Sequence, residues 1–301
     1  MSFTPSTAAA ASPGDAAVVV RGLRKSYNSF DAVRGIDFDI ASGETFALLG
    51  PNGAGKSTTI EILEGYRDRD GGEVSVLGVD PAKAGIAWKA RLGIVLQSGA
   101  EAANVTVREQ LAHFARLYPN ARDVDEIIAS VGLTETAKTR IRNLSGGQRR
   151  RLDVALGVIG RPELLFLDEP TTGFDPEARR QFWSLVRSLK REGTTILLTT
   201  HYLDEAAQLS DRAAVIAHGA FVDIGAVDEI GDAEARIPIV RWRDASGAPN
   251  EQRTETPAAF VARLTAQTGG EPRDLEVIRP SLEDIYLGLV RAADERAGVT
   301  A

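Results

Sequence analysis

Residues 50–57 read Gly-Pro-Asn-Gly-Ala-Gly-Lys-Ser, and they stand between an apolar run, Phe46–Leu49, and a stretch of helical periodicity from Lys56 to Leu63. An apolar strand, a glycine-rich turn and a helix in immediate succession form a β-loop-α unit. Gly50, Gly53 and Gly55 let the backbone curl until successive N–H groups face one anion, and the start of the helix adds a partial positive charge. The spacing matches the P-loop pattern: Lys56 can reach the β- and γ-phosphates of a nucleotide and Ser57 can ligate magnesium, with Pro51, Asn52, Ala54 and Thr58 completing the loop. A chain built on this unit is expected to be α/β and to bind a nucleoside triphosphate.

The order recurs further along. Leu164–Leu167 and Thr195–Thr199 are short apolar or β-branched runs, each followed by polar turn residues and a helix-period segment, as buried parallel strands require. Ahead of the glycine-rich loop, residues 17–23 and 33–40 read as two early strands, with turn chemistry at Tyr27-Asn28-Ser29. Residues 104–142 carry Val107, Gln110, Leu111, Phe114 and Leu117 at helical spacing and predict a helical subdomain over about 98–160. Ala213–Ala217 and Phe221–Ile224 predict a hairpin around His218-Gly219. The pattern turns polar near Gly231 and restarts: a strand over 237–242, a turn at Ser246-Gly247, a helix over 257–266, a strand over 275–278, and a last helix opened by a capping box from Ser281 to Asp284. The expected organisation is a flexible tail over 1–16, a nucleotide-binding domain over 17–230 and a small α+β accessory or regulatory domain over 231–301.

Two further segments carry chemistry. Leu164-Leu-Phe-Leu-Asp168-Glu169 is an apolar strand ending in two acids, which strand alternation would send in different directions. Asp168 suits a magnesium ligand, and Glu169 suits the general base for an attacking water, a role worth about 100- to 10,000-fold. Leu144-Ser145-Gly146-Gly147-Gln148 predicts a second helix N-terminus, with Ser145 as cap, Gln148 at the capping-box position and glycine amides exposed. That is a second anion site for which a single P-loop has no internal use, and it is equally compatible with a well-capped helix. Arg149-Arg150-Arg151 reads as a solvated basic face.

Composition excludes several classes of function. A net charge of −7, from 35 basic and 42 acidic residues, offers no general attraction to nucleic acid or anionic lipid. With no cysteine and three histidines, disulfides, thiolate catalysis and cysteine-based metal sites are out. No run approaches the roughly 18 apolar residues of a membrane helix. The opening MSFTPSTAAAASPG has no basic residue and reads as a tail and not as a secretion signal, so a cytoplasmic protein is expected.

Taken in order, GPNGAGKS, Gln97, LSGGQ, LLFLDEP, the TTGFDP turn and the TTH before Tyr202 resemble the nucleotide-binding subunit of an ATP-binding cassette (ABC) transporter over about residues 17–225. The single cassette, the SGGQRRRLDVA run and the C-terminal Pro280-Ser-Leu-Glu-Asp-Ile-Tyr-Leu resemble ABC-2 type exporters, the daunorubicin-resistance ATPases among them. The resemblance implies a P-loop ABC fold, ATP and Mg2+ as cofactors, and ATP hydrolysis. It implies that Gln97 touches magnesium or water, that His201 contacts the γ-phosphate and positions the water with Glu169, that Asp175 lies at a subunit contact, and that Tyr27 stacks on adenine. Two copies would pack head to tail, so that Ser145, Gly146, Gly147 and Gln148 of one close over the γ-phosphate held by the other. A separate transmembrane permease would be the second partner, and the chain would work at the cytoplasmic face of the membrane. One departure is Ser98-Gly-Ala-Glu-Ala-Ala-Asn104 after Gln97, where an apolar or aromatic contact surface is expected. The alternative reading is a soluble ABC ATPase that regulates a partner without transport.

Overall fold

The computed structural model of the chain describes residues 16–96 and 104–298. The chain divides into two compact units, Met1–Val227 and Asp228–Ala301. In the first unit, β1 (Ala16–Tyr27) and β2 (Phe30–Ala41) form an antiparallel hairpin, with Asn28 at φ 53° in its turn. Asparagine tolerates that left-handed conformation better than most residues. Next, β3 (Thr45–Leu49) leads through residues 50–55 into α1 (Lys56–Leu63), and β4 (Gly71–Val76) pairs antiparallel with β1. The short α2 (Ile86–Lys89) and β5 (Leu92–Val95) precede residues 97–103. Beyond them lie α3 (Val107–Ala115), α4 (Val124–Ser130) and α5 (Gly146–Val158). The unit closes with β6 (Leu164–Asp168), α6 (Pro176–Arg191), β7 (Thr195–Thr199), α7 (Leu203–Leu209), β8 (Arg212–Ala217) and β9 (Ala220–Ala226).

Two sheets result. One is antiparallel, in the order β2-β1-β4; the other runs β5-β6-β7-β3-β8-β9 and is parallel except for β9. Every residue of β3 and β7 is buried, which is why both read as continuous apolar or β-branched runs without alternation. A single core joins the antiparallel sheet (Val18, Val20, Phe38, Ile40) to α1 (Ile60, Leu63) and to the parallel strands (Phe46, Phe166, Leu197). The rings of Phe38 and Phe46 stack across that junction at 5.6 Å.

The helices follow from ordinary signals. In α6, Asp175 caps the first turn, Pro176 starts it, Lys190 and Arg191 end it, and Ala178, Phe182, Leu185, Val186 and Leu189 form the buried stripe. Thr106 and Glu109 build a capping box that opens α3. The close seat of α5 on β5 depends on two glycines. A Cβ at Gly93 would stand 2.2 Å from the Gly157 carbonyl oxygen, and one at Gly157 would stand 2.6 Å from Val95 Cγ2.

The second unit holds β10 (Ile239–Arg243), β11 (Pro249–Arg253), α8 (Pro257–Thr268), β12 (Arg273–Ile278) and α9 (Leu282–Ala297), with an antiparallel sheet in the order β11-β10-β12. Trp242 meets Phe260 at 5.5 Å, and Ile239, Val240, Leu264 and Ile285 are buried. The capping box from Ser281 to Asp284 is formed. Three strands escape the sequence pattern: β4 has two apolar residues, β5 is four residues long, and β11 (PNEQR) has no alternation to read. Likewise β1 continues past Leu23 to Tyr27, because pairing with β2 carries a polar stretch that hydrophobicity alone does not mark.

Glu64, just after α1, is buried, and burial together with the negative charges of Asp168 and Glu61 pushes its carboxyl from 4.5 up to about 8. Between those two values the folded protein keeps a proton that the unfolded chain releases. The contribution of Glu64 to stability is therefore full below about pH 4.5 and is lost as pH rises through about 8. Glu64→Gln is expected to flatten that slope and to add about 1–3 kcal/mol at mildly alkaline pH. Urea midpoints at about pH 5 and about pH 8 test this; a slope unchanged from the parent protein would refute it. Gly93→Ala is expected to lower stability by about 1–3 kcal/mol, by forcing α5 away from β5. An unchanged midpoint would contradict the close seat.

Candidate functional site

Three loops converge because three strands are neighbours. In the parallel sheet β7 lies between β3 and β6, with Leu48 opposite Thr199 and Asp168 opposite Thr199. The glycine-rich loop leaves the carboxyl end of β3, Glu169 follows β6, and His201 follows β7. Open α/β sheets offer ligands the crevice at this edge.

Within the loop, Gly53 and Gly55 have φ 79° and 109°, so backbone freedom is what these two positions require. Gly50 has a different reason. A Cβ there would lie 2.3 Å from the Ile216 carbonyl oxygen of β8, so close packing, and not a left-handed backbone, selects glycine. At Gly55 both reasons apply, since a Cβ would also lie 2.4 Å from the Ala32 carbonyl oxygen. The Thr59 hydroxyl donates to the Gly55 carbonyl at 2.9 Å and pins the start of α1. Asn52, Gly53 and Ser57 are exposed and Ala54 is buried, while Pro51, Lys56 and Thr58 are half-buried. The first-turn amides of α1 have no acceptor within the helix and are available to an anion. Lys56 Nζ donates to the carbonyls of Gly50 (2.6 Å) and Pro51 (3.0 Å). Burial lowers its pKa, and the charges of Glu169 and Asp168 oppose that shift.

The two acids are aimed differently by a turn and not by strand alternation. Asp168 ends β6, whereas Glu169 lies beyond it at φ 46°, a left-handed conformation costing a non-glycine residue about 1–2 kcal/mol. Thr199 of β7 holds both. Its hydroxyl donates to Asp168 Oδ1 at 2.5 Å, and its carbonyl accepts from the Glu169 amide at 3.0 Å. His201 Nδ1 stands 3.4 Å from Glu169 Oε2, and the His201 ring packs on Tyr202 at 4.1 Å. Among the described residues no three acidic or histidine side chains cluster as a metal cage. Asp168 and Ser57 instead suit magnesium, which takes one or two protein oxygens and completes its shell with water and phosphate.

Arg150 corrects the expectation of a solvated basic face. It is buried, and its guanidinium donates to the carbonyls of Leu96, Pro170, Asp168 and Glu169. Arg149 and Arg151, half-buried, donate to the carbonyls of Ile141 and Gly132. A signal was present: Arg150, Val154 and Val158 share the spacing of one helical face, and all three are buried. Thr199 and Glu205 were also missed. Glu205 is fully buried, its carboxyl pushed up by that burial, and accepts from Trp183 Nε1 at 3.2 Å.

The remaining candidates lie on α5, at the start of α6 and on β1. Ser145 Oγ accepts from the Gln148 amide at 3.2 Å and Gln148 Oε1 accepts from the Ser145 amide at 2.9 Å, which completes the expected capping box; Gly146 and Gly147 begin α5. Asp175 accepts from the Ala178 amide at 2.8 Å, which holds its carboxyl below the usual range and makes it the cap of α6. Tyr27 ends β1, its ring flanked by Lys25 Nζ at 5.5 Å and the Arg67 guanidinium at 5.3 Å. Gln97 and Ser98–Ala103 lie outside the described residues.

Comparison with known proteins gives the family and the fold. A family model described as ABC transporter matches residues 33–172. The daunorubicin resistance ATP-binding protein DrrA3 of Streptomyces coeruleorubidus is 36% identical over 305 residues, 91% of this chain and 96% of that protein. The Nod factor export ATP-binding protein I of Rhizobium johnstonii is 37% identical over 295 residues, 91% of this chain and 94% of its own length. Among solved structures, an ATP-binding subunit of an ABC transporter shares the fold over 90% of this chain at a TM-score of 0.68 and 22% identity. A dimeric ATP-binding cassette in a post-hydrolysis state, bound to ADP and phosphate, does so over 69% at 0.64 and 21%. Relatedness of this depth runs through the second unit as well as the motifs, and with it the chain belongs to the ABC transporter family, as an ATP-binding ATPase of the ABC-2 exporter kind.

Proposed function

We propose that this chain powers an exporter through a separate transmembrane permease, as a pair of identical copies that close around two ATP molecules at the cytoplasmic face of the membrane. This reading rests on one observation: α5 opens on a Ser145–Gln148 capping box with Gly146 and Gly147 in its first turn, a helix start suited to an anion, while the P-loop, Asp168, Glu169 and His201 gather on other elements, at the carboxyl edge of β3, β6 and β7. A second copy packed head to tail gives it a phosphate to bind. Residues 231–301 serve as the accessory domain of this assembly. No helix among the described residues is long and apolar enough to cross a membrane.

The roles follow from chemistry. Phosphate oxygens replace the Gly50 and Pro51 carbonyls on Lys56 Nζ, exchanging neutral acceptors for charged ones. Tyr27 offers a ring face to adenine. Ser57, Asp168 and Gln97 would hold Mg2+, and the ion would supply charge neutralisation on the transferred phosphoryl group. Glu169 takes the proton of the attacking water, and His201 beside it orients that water against the γ-phosphate. From the other copy, the amides of Gly146 and Gly147, the Ser145 hydroxyl and Gln148 Nε2, donors that the capping box does not use, close on the same phosphate, and Asp175 lines the contact. Closure draws its energy from a difference in ATP affinity between the open and closed pair.

Glu169→Gln is expected to cut ATP turnover about 100- to 10,000-fold while leaving ATP bound. Turnover near the native rate would remove Glu169 as the base. The same variant loaded with ATP is expected to sediment as a dimer; a strict monomer at high concentration would overturn the paired arrangement. Replacing Gly146 with a bulky acid, Gly146→Glu, is expected to abolish that dimer while a single copy still binds ATP, because it sets negative charge where phosphate should dock. Loss of ATP binding by the isolated copy would count against a site supplied in trans.

A further inference from the structure

Arg150 stands on the buried side of α5, little more than one helical turn beyond the Ser145 cap. Nε donates to the Pro170 carbonyl at 3.1 Å, Nη2 to the Glu169 carbonyl at 2.9 Å and also to that of Asp168, and Nη1 to the carbonyl of Leu96. One planar cation therefore ties α5 to the peptides that carry both acids and to the residue that follows β5. The charges of Asp153, Asp168, Glu169 and Glu205 compensate it, against the burial that lowers its pKa.

We propose that Arg150 is a positioning residue for ATP hydrolysis: it holds the Asp168–Glu169 backbone so that the Glu169 carboxylate is aimed, and it links that aim to the seat of α5. The proposal rests on the reading of Glu169 as the base. Glu169 keeps a left-handed backbone, φ 46°, that a glutamate does not favour, so its neighbouring peptides have to be held. Its amide is held by the Thr199 carbonyl on one side, and its own carbonyl by Arg150 on the other. Guanidinium donors form a rigid fork that can serve carbonyls from separate segments at once; a lysine ammonium is a point charge on a flexible stem. Because α5 is a rigid rod from Ser145 to Arg150, any shift of its N-terminus on a phosphate is passed to the Glu169 carbonyl.

The full-length protein tests this with Arg150→Lys, which keeps the cation without the fork, and Arg150→Gln, which keeps amide donors without the charge. Both are expected to lower kcat about 10- to 100-fold, the usual result of misplacing a reacting group, with the Kd for ATP within about threefold of native. Combined with Glu169→Gln, neither is expected to lower the residual rate further, since the group they position is already gone. A merely structural residue would shift Kd and add its loss to that of Glu169→Gln. Native kcat in both single variants, or additive losses in the double variants, would overturn the proposal. Thermal unfolding serves as the control: if neither variant folds, Arg150 belongs to the fold and the proposal fails. Glu169→Gln alone tells the two readings apart, because native turnover in that variant removes the base assignment whatever Arg150 does.

Discussion

Pairing of β7 with β3 on one side and with β6 on the other is the constraint from which the site follows. These strands are buried almost throughout, so their polar ends can emerge only at the edges of the sheet. At the carboxyl edge the adjacency places Thr199 beside both acids. One threonine then donates to Asp168 with its hydroxyl and accepts from the Glu169 amide with its carbonyl. The carboxylates thus meet Lys56 without having to bond it directly: their charges counter the burial that lowers its pKa, while its ammonium is lodged on the loop's own carbonyls. The loop is held ready for a more negative acceptor than a carbonyl.

A second layer of constraint lies beneath the first. Gly93 and Gly157 let α5 rest on β5 at a distance that any side chain would prevent, and that seat brings Arg150 under the ends of β5 and β6. Packing between two glycines is thereby coupled to the electrostatics of two acids several residues away in space. Ser145 and Gln148 keep the far end of the same helix capped, with its glycine amides outward. An anion bound at that end would act on a rod already bonded to the Asp168–Glu169 segment.

Much of this was legible in the residues, for a definable reason. Anion binding by 50–57 depends on glycines, a lysine and a helix start within one short segment, so it is readable wherever the segment occurs. The apolar runs that became β3, β6 and β7 were equally plain, because strands buried on both faces need no alternation to be recognised. Segments whose order comes from partners were not: β11 is PNEQR, an edge strand made by its pairing with β10, and Arg24–Tyr27 extends β1 only because β2 lies alongside. Strand alternation would send Asp168 and Glu169 in separate directions, but Glu169 lies beyond the strand in a left-handed turn, so alternation does not govern it.

By itself, then, the order of residues determined the chemistry that is local in the chain: a phosphate-binding loop, two acids after an apolar strand, a capped helix with exposed amides, and membership of the ABC transporter family. Tertiary structure alone decided which of these meet. It put His201 beside Glu169 and took Arg150 from an expected solvent face into the core. The reason is that hydrogen bonds to a turn or cap are satisfied within a few residues, whereas the neighbour of a strand and the burial of a charge depend on packing between segments far apart in sequence.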